Sequence, residues 1–178
     1  PLHLALRQGA RRLVAVSHAD AEVLSAKFGR QAVRCVPNAP PPPQEDQHPV
    51  GPEVWGEAEL KLLSVGRLVP QKGFDRLLQA LAAPEVRALP FRCVVVGDGP
   101  ERTALERAAA AAKLTERLVF LGGRPSQSAM QHADVLLSGS RYEGLPLVPM
   151  ESVLAGCAAI VSPIAPHREL FGHLPDSL

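Results

Sequence analysis

The stretch LKLLSVGRLVPQKGFDRLLQALAAP, residues 60–84, contains three local signals in a definite order. Residues 60–65 form a continuous apolar run, which is typical of a strand buried on both faces of a parallel sheet. Gly66 closes this run, and a helical pattern over residues 74–83 ends at a proline. A strand, a glycine turn and a helix in this order predict one βα unit of an α/β domain.

Further apolar runs recur along the chain, and helical patterns lie between most of them. The runs are Leu13–Val16, Val33–Val36, Phe91–Val96, Leu118–Leu121, Val135–Leu137 and Ala158–Val161. The helical patterns cover residues 19–28, 101–113, 127–133 and 146–155. This alternation predicts right-handed βαβ units and a Rossmann-like, doubly wound parallel sheet.

A proline-rich segment interrupts the alternation. Residues 40–43 are consecutive prolines, which neither continue a helix nor pair in a central strand. A stiff, extended linker is the natural interpretation. We therefore expect the end of one domain at residues 1–38, a hinge at residues 39–57, and a second domain at residues 58–178 that is truncated at its carboxyl end.

Composition argues against several classes of function. The 178 residues carry a net charge of +1 with charges of both signs, which disfavours binding to nucleic acid or to an anionic membrane. No apolar run approaches the roughly 18 residues of a membrane span. The amino terminus lacks a signal peptide and an initiating Met, so we expect a piece of a longer protein. Cys35, Cys93 and Cys157 are isolated, which predicts reduced thiols without a metal and a cytoplasmic location.

Two cations follow the predicted strand at residues 60–65. Arg67 comes directly after Gly66, and Lys72 lies just before the predicted helix at residue 74. Ligands of open α/β sheets bind where strands end and helices begin. An arginine fork and a lysine point charge at that place can hold one diphosphate. The alternative interpretation is a pair of surface cations without a ligand.

Glycine turns follow two other predicted strands. Gly97 begins a Gly-Asp-Gly turn that lacks the third glycine of a dinucleotide-binding fingerprint, so we interpret it as scaffold at the rim of a pocket. Gly122 and Gly123 follow the next strand and leave room for a flat base against the backbone, with Arg124 nearby. An ordinary turn is the alternative for this second site.

Two glutamates, Glu143 and Glu151, bracket an apolar turn. Glu143 lies in the loop after the run at residues 135–137, and Glu151 lies about one turn into the next predicted helix. The N–H groups of residues 144–148 can point toward a phosphate or sugar oxygen. Each carboxylate can accept hydrogen bonds from vicinal hydroxyls, Glu143 from a transferred sugar and Glu151 from a ribose. Electrostatic preference for a helix start alone would explain Glu151 but not Glu143.

Four stretches together resemble the carboxyl-terminal half of the retaining, GT-B-fold glycosyltransferases of group 1. They are SVGRLVPQKGFDRLLQA (64–80), VVVGDGPER (94–102), VFLGG (119–123) and SRYEGLPLVPMESVLAG (140–156), in the order and at the spacing of the family. Upstream, VAVSHADAEVL (14–24) and VRCVPNAP (33–40) are similar to the end of its amino-terminal domain and its hinge.

The resemblance implies a hexosyltransferase that retains the anomeric configuration of an NDP-sugar donor, as in bacterial polysaccharide or glycolipid biosynthesis. It implies three catalytic residues: Arg67 and Lys72, which grip the donor diphosphate, and Glu143, which contacts the transferred sugar. Glu151 would contact the ribose. The remaining donor contacts would come from Gly66, Gly97, Gly122, Gly123, Arg124, Gly144, Leu145, Pro146 and Leu147. The family usually needs neither metal nor cofactor, which agrees with the lack of an Asp-x-Asp motif.

The resemblance also implies a saccharide or lipid-linked acceptor, and peripheral attachment of the complete enzyme to the inner membrane face. Most of the acceptor-binding domain is missing, so the chain alone should bind donor and transfer little. Departures such as Ala39 after Asn38, and Cys157 where proline is common, should tune the sugar pocket. Two alternatives stay open: a nucleotide-sugar-binding module without catalysis, and a GT-B NDP-sugar epimerase, against which the glutamate pair argues.

Overall fold

Residues 12–42 and 48–172 are described by a computed structural model, and their contacts group the chain into two units. The first unit comprises Pro1–Ala39, Glu143–Pro146 and Pro163–Leu178, and the second comprises Pro40–Tyr142 and Leu147–Ser162. The parts of the domain and hinge predictions that fall on residues 1–11, 43–47 and 173–178 lie outside the described residues.

The first unit contains a small parallel βαβ element. Strands β1 (Leu13–Ala15) and β2 (Val33–Cys35) pair side by side, and helix α1 (His18–Phe28) connects them. Ser17 caps α1 because its Oγ accepts a hydrogen bond from the Asp20 N–H (3.1 Å). Gly29 ends the helix with a φ of 87°. The predicted strand–helix–strand order is confirmed here.

The first unit contains a second helix, α7 (Ala165–Phe171), which is the last helix of the described residues. It is not predicted from the sequence. Its residues group with the first unit, although the sequence assigns residues 58–178 to one domain. The physical reason is a long-range contact, since the Glu169 carboxylate accepts hydrogen bonds from the first backbone N–H groups of α1.

The second unit is built on a five-stranded sheet in which every neighbouring pair is parallel. The strands are β3 (Leu60–Val65), β4 (Phe91–Val96), β5 (Leu118–Gly122), β6 (Val135–Ser138) and β7 (Ala158–Val161). Their order is β5-β4-β3-β6-β7, so the strand order reverses between β3 and β6. This confirms the Rossmann-like, doubly wound sheet and places its switch point at those two strands.

Helices cover both faces of this sheet. They are α2 (Phe74–Ala82), α3 (Pro84–Arg87), α4 (Arg102–Ala111), α5 (Gln127–His132) and α6 (Leu147–Leu154). Along β4, Cys93 and Val95 belong to the core beneath α2 and α4, whereas Val94 and Val96 belong to the core beneath α5. Burial on both faces explains the continuous apolar run. It also raises the pKa of the Cys93 thiol to about 12.

Part of the predicted hinge is packed rather than extended. Pro52–Trp55 forms a 3-10 helix, and Trp55 and Val50 are buried in the core on the α5 face. The Trp55 indole N–H donates to the Leu62 carbonyl oxygen (3.0 Å), and the Val50 N–H donates to the Ser128 hydroxyl (2.9 Å). Burial of this large apolar side chain fixes residues 50–55 to the second unit.

Candidate functional site

Three glycines shape the carboxyl edge of the second unit's sheet. Gly66 follows β3, Gly97 follows β4 and Gly122 ends β5, with φ values of 153°, 150° and 77°, which other residues rarely adopt. The Gly66 N–H donates to the Val96 carbonyl oxygen (3.0 Å), and the Gly97 N–H donates to that of Gly122 (2.8 Å). A Cβ on Gly97 would collide with the Gly66 carbonyl oxygen. The backbone is therefore closely packed at this edge of the sheet. The carboxyl ends of the strands are also where open α/β sheets bind their ligands.

The two predicted cations lie beside Gly66. Lys72 ends a 3-10 helix over Pro70–Lys72, and its aliphatic stem runs along the glycine, because a Cβ on Gly66 would lie 3.4 Å from the Lys72 Cδ. Arg67 is exposed and has no side-chain partner among the described residues. The structure thus places both cations at the end of β3, next to the switch point.

A hydrogen-bond network around Arg141 holds the segment that carries Lys72. The Arg141 guanidinium donates to both Asp75 carboxylate oxygens (2.7 and 2.6 Å) and to the Pro70 carbonyl oxygen (2.8 Å). The Arg141 N–H donates to the Gln71 carbonyl oxygen (2.8 Å), and the Gln71 side chain donates to the Tyr142 carbonyl oxygen (3.0 Å). The loop after β6 is therefore tied to the 3-10 helix that ends at Lys72.

Neither Arg141 nor Asp75 is predicted from the sequence as part of the site. Two parallel hydrogen bonds to the guanidinium hold the pKa of the Asp75 carboxyl below its usual range. The one signal in the sequence that could point to Arg141 is its place two residues before Glu143, within residues 140–156. Nothing in the local pattern pairs it with an aspartate 66 positions away.

Arg124 and Glu151, which the sequence places near a base and a ribose, line one cavity. Its volume is about 180 Å³, and its other lining residues are Pro41, Pro42, Pro125, Ser126 and Gln127. Glu151 lies in the second turn of α6, and partial burial raises the pKa of its carboxyl. Gly123 adjoins the cavity in sequence and lies near the Asp98 Cβ. The prolines of the predicted hinge thus form part of the cavity wall.

The loop that carries Glu143 belongs to the first unit. Glu143 is half-buried, and Leu145 and Pro146 are buried. Gly144 packs so closely against the turn between β1 and α1 that a Cβ there would lie 2.9 Å from the Val16 Cγ2. Leu147 begins α6 in the second unit. The structure therefore groups Glu143 with α1 and groups Arg67, Lys72, Arg124 and Glu151 with the sheet.

The family of this chain is shown by its match to a family model. The family model described as glycosyl transferases group 1 matches residues 51–175, which is more than half of the chain. The chain belongs to this family. As a group 1 glycosyltransferase, it has the fold and the motif order that the resemblance implies.

Two curated relatives show how much of a related glycosyltransferase the chain spans. It is 34% identical over 164 residues to the 2-deoxystreptamine glucosyltransferase of Streptomyces kanamyceticus, covering 85% of this chain and 42% of the relative. It is 30% identical over 146 residues to the amylovoran biosynthesis glycosyltransferase AmsD of Erwinia amylovora, covering 80% and 40%. The chain therefore spans about two-fifths of the length of these relatives.

A solved structure shares the fold of this group 1 glycosyltransferase. HepE of Anabaena, crystallised with UDP and glucose, superposes with a TM-score of 0.74 over 95% of this chain and 50% of HepE, at 20% identity. At that identity the likeness shows the fold alone. Among the helices of the described ranges, none has the length and apolar character to cross a membrane. Nor do those residues include three or more His, Cys, Asp or Glu grouped to hold a metal ion.

Proposed function

We propose that this chain is the donor-binding half of an enzyme that transfers a hexose from an NDP-sugar to an acceptor hydroxyl, with retention of anomeric configuration. The observation that carries the proposal is the family match combined with the glycine turn at the end of β3, where Arg67 and Lys72 lie. HepE, a structural neighbour, was solved with UDP and glucose, which is consistent with such a donor.

The diphosphate would be held by the two cations. Arg67 presents planar N–H donors suited to phosphate oxygens, and Lys72 adds a compact charge. Negative charge develops on the departing diphosphate when the bond to the anomeric carbon breaks. Preorganised cations at that position lower the barrier because they need no reorganisation as the charge appears. In this proposal no metal is required for that neutralisation.

The two glutamates would recognise hydroxyl groups. Glu151 lines a cavity with Arg124, and an ionised carboxylate accepts hydrogen bonds from the two hydroxyls of a ribose. Glu143 would accept hydrogen bonds from the transferred hexose, while the backbone of Gly144–Leu147 faces the donor. The base would lie beside Gly122–Arg124. The acceptor, saccharide or lipid-linked, would be bound by parts of the enzyme outside this sequence, so the chain alone should transfer little.

A calorimetric titration tests the donor site directly. The 178-residue chain is titrated with UDP, GDP, ADP and their glucose or mannose conjugates, first without added metal and then with EDTA. We expect saturable binding of one nucleotide and its sugar conjugate, unchanged by EDTA. A folded sample that binds none of these ligands would contradict the proposal, and loss of binding in EDTA would contradict its metal-free part.

Glu143→Ala separates sugar recognition from nucleotide recognition. We expect the affinity for the nucleotide-sugar to fall by about 1–2 kcal/mol, the cost of lost hydrogen bonds to a charged group, with no change for the free nucleotide. Calorimetry on both ligands measures the difference. Glu85→Ala, at an exposed position of α3, is a matched control that removes one carboxylate elsewhere. Equal losses for both ligands would show that Glu143 does not contact the sugar.

A further inference from the structure

Glu169 holds the start of helix α1. Its Oε1 accepts a hydrogen bond from the His18 N–H (2.8 Å), and its Oε2 accepts one from the Ala19 N–H (3.0 Å). The next N–H, that of Asp20, donates to the Ser17 hydroxyl (3.1 Å). The first three N–H groups of a helix have no partner within it, and here each has one outside it. The carboxylate also lies where the helix dipole favours a negative charge.

The same stretch of chain supports the loop of Glu143. A Cβ on Gly144 would lie 2.9 Å from the Val16 Cγ2 and 3.6 Å from the Asp20 Oδ2. The loop therefore lies directly on residues 16–20, the segment whose N–H groups Glu169 and Ser17 hold. A shift of this segment toward the loop would press on Gly144, because the contact leaves no room for even a methyl group.

Glu169 is itself held in place. Pro166 and His167 in the first turn of α7 are buried, and α7 packs against α1. A carboxylate on a packed helix that bonds two N–H groups of another helix has little freedom to move. It can therefore hold residues 16–20 in a fixed position.

We propose that Glu169 is a positioning residue for the transferred sugar. By capping α1 it sets residues 16–20 against Gly144, and thereby sets the loop that presents the Glu143 carboxylate. The inference rests on the proposed function of Glu143. The side chains assigned to the diphosphate and the ribose, those of Arg67, Lys72 and Glu151, belong to the second unit. We therefore expect Glu169 to affect the affinity for nucleotide-sugar and to leave that for free nucleotide unchanged.

The test compares calorimetric affinities of two ligands across a set of variants. The ligands are whichever of UDP, GDP and ADP binds, and its glucose or mannose conjugate. Glu169→Ala should lower nucleotide-sugar affinity roughly three- to tenfold and leave nucleotide affinity unchanged. Glu169→Gln, which keeps one acceptor oxygen, should restore part of the loss. Circular dichroism checks that each variant keeps the helix content of the unsubstituted chain at the temperature of measurement.

His18→Pro isolates one of the two hydrogen bonds. Proline suits the first position of a helix and lacks the N–H that Glu169 binds there. We expect a smaller loss of nucleotide-sugar affinity than for Glu169→Ala, and no added loss when the two substitutions are combined. A full additional loss in the double variant would show that His18 acts independently of Glu169 and would count against the proposal.

A helix-weakening control guards against a general effect of stability. Ala26→Gly lowers the helix propensity of α1 at an exposed position near its other end. The proposal is overturned if this variant reproduces the effect of Glu169→Ala, or if Glu169→Ala lowers both affinities equally or changes neither. Failure of the unsubstituted chain to bind either ligand is a separate result, because it refutes the donor site and this inference with it.

Discussion

Arg67 and Arg141 follow neighbouring strands of one sheet, at the same carboxyl edge, yet they meet different surroundings. Arg141 after β6 donates to the Asp75 carboxylate and to the Pro70 carbonyl oxygen. Arg67 after β3 is exposed beside a glycine, without a side-chain partner in the described part of the chain. A guanidinium whose donors are used inside the protein fixes structure, whereas one with unused donors can bind an external anion.

The carboxylates repeat this contrast. The Arg141 guanidinium lowers the pKa of the Asp75 carboxyl, whereas partial burial raises the pKa of the Glu151 carboxyl. Asp75 and Arg141 thus bind each other within the unit, whereas Arg67 and Glu151 are available to a ligand. Position at the edge of the sheet does not distinguish them, but their partners do.

The largest effect expected from this comparison is on nucleotide binding. Arg67→Ala should weaken binding of both nucleotide and nucleotide-sugar by about 1.5–3 kcal/mol, the value of a hydrogen bond to a charged group. Because the side chain is exposed, the free energy of unfolding should change by no more than about 0.5 kcal/mol. Calorimetry and denaturant titration measure the two quantities. Arg107→Ala, an exposed arginine in α4, is the matched control.

Arg141→Ala should lower the stability of the fold more than it weakens nucleotide binding, the opposite of Arg67→Ala. We expect the free energy of unfolding to fall, because the hydrogen bonds to Asp75 and to the Pro70 carbonyl oxygen are lost. The loss should be modest, since the Arg141 and Asp75 side chains are about a third or more exposed and solvent screens the ion pair. Arg141→Lys should recover only part of this, because an ammonium group cannot bind both carboxylate oxygens as a planar fork. Denaturant titrations measure both. A larger loss of nucleotide affinity than for Arg67→Ala would break the comparison.

The pH dependence of this second effect follows from the lowered pKa of Asp75. A carboxyl with a lowered folded-state pKa stabilises the fold above its unfolded pKa, near 4, and that contribution is lost as pH falls through the folded value. The difference in unfolding free energy between the unsubstituted chain and Arg141→Ala should therefore be complete at pH 7 and shrink below about pH 4. A difference that grows in acid would assign it to another group.

The smallest effect concerns Glu151. Its raised pKa means that the folded state disfavours the ionised form, so Glu151→Gln should slightly raise the free energy of unfolding at pH 7. That gain should vanish as pH is lowered through the raised pKa, where both side chains are neutral. The same variant should weaken nucleotide binding. Thermal unfolding at several pH values, with calorimetry, tests both, and a stability loss at pH 7 would contradict the assignment.

The sheet could be predicted from the sequence because its strands are buried on both faces. Leu60–Val65 and Phe91–Val96 are predicted to the residue, since continuous apolar runs between glycine turns leave few other interpretations. The short α7 over Ala165–Phe171 escapes prediction, because it carries a proline and no extended apolar period. Hydrophobic periodicity reveals helices and strands that bury a face, but it reveals less about short surface helices.

The candidate site divides in the same way. Gly66, Arg67 and Lys72 could be placed at one strand end because they are neighbours in sequence. The contacts of Arg141 with Asp75 and of Glu169 with α1 join positions 66 and about 150 residues apart, and charged surface residues carry no period that pairs them. The roles of the predicted donor-binding residues stay predictions until ligand binding is measured.

Trp55 has a spectroscopic consequence. It is the single tryptophan of the chain, it is 1% exposed, and its indole N–H donates to the Leu62 carbonyl oxygen. Indole emission therefore reports the folding of the second unit and not that of the first, while far-ultraviolet dichroism also registers α1. If the two signals change together during denaturation, the units unfold as one cooperative body; if they separate, α1 and its carboxylate cap melt on their own.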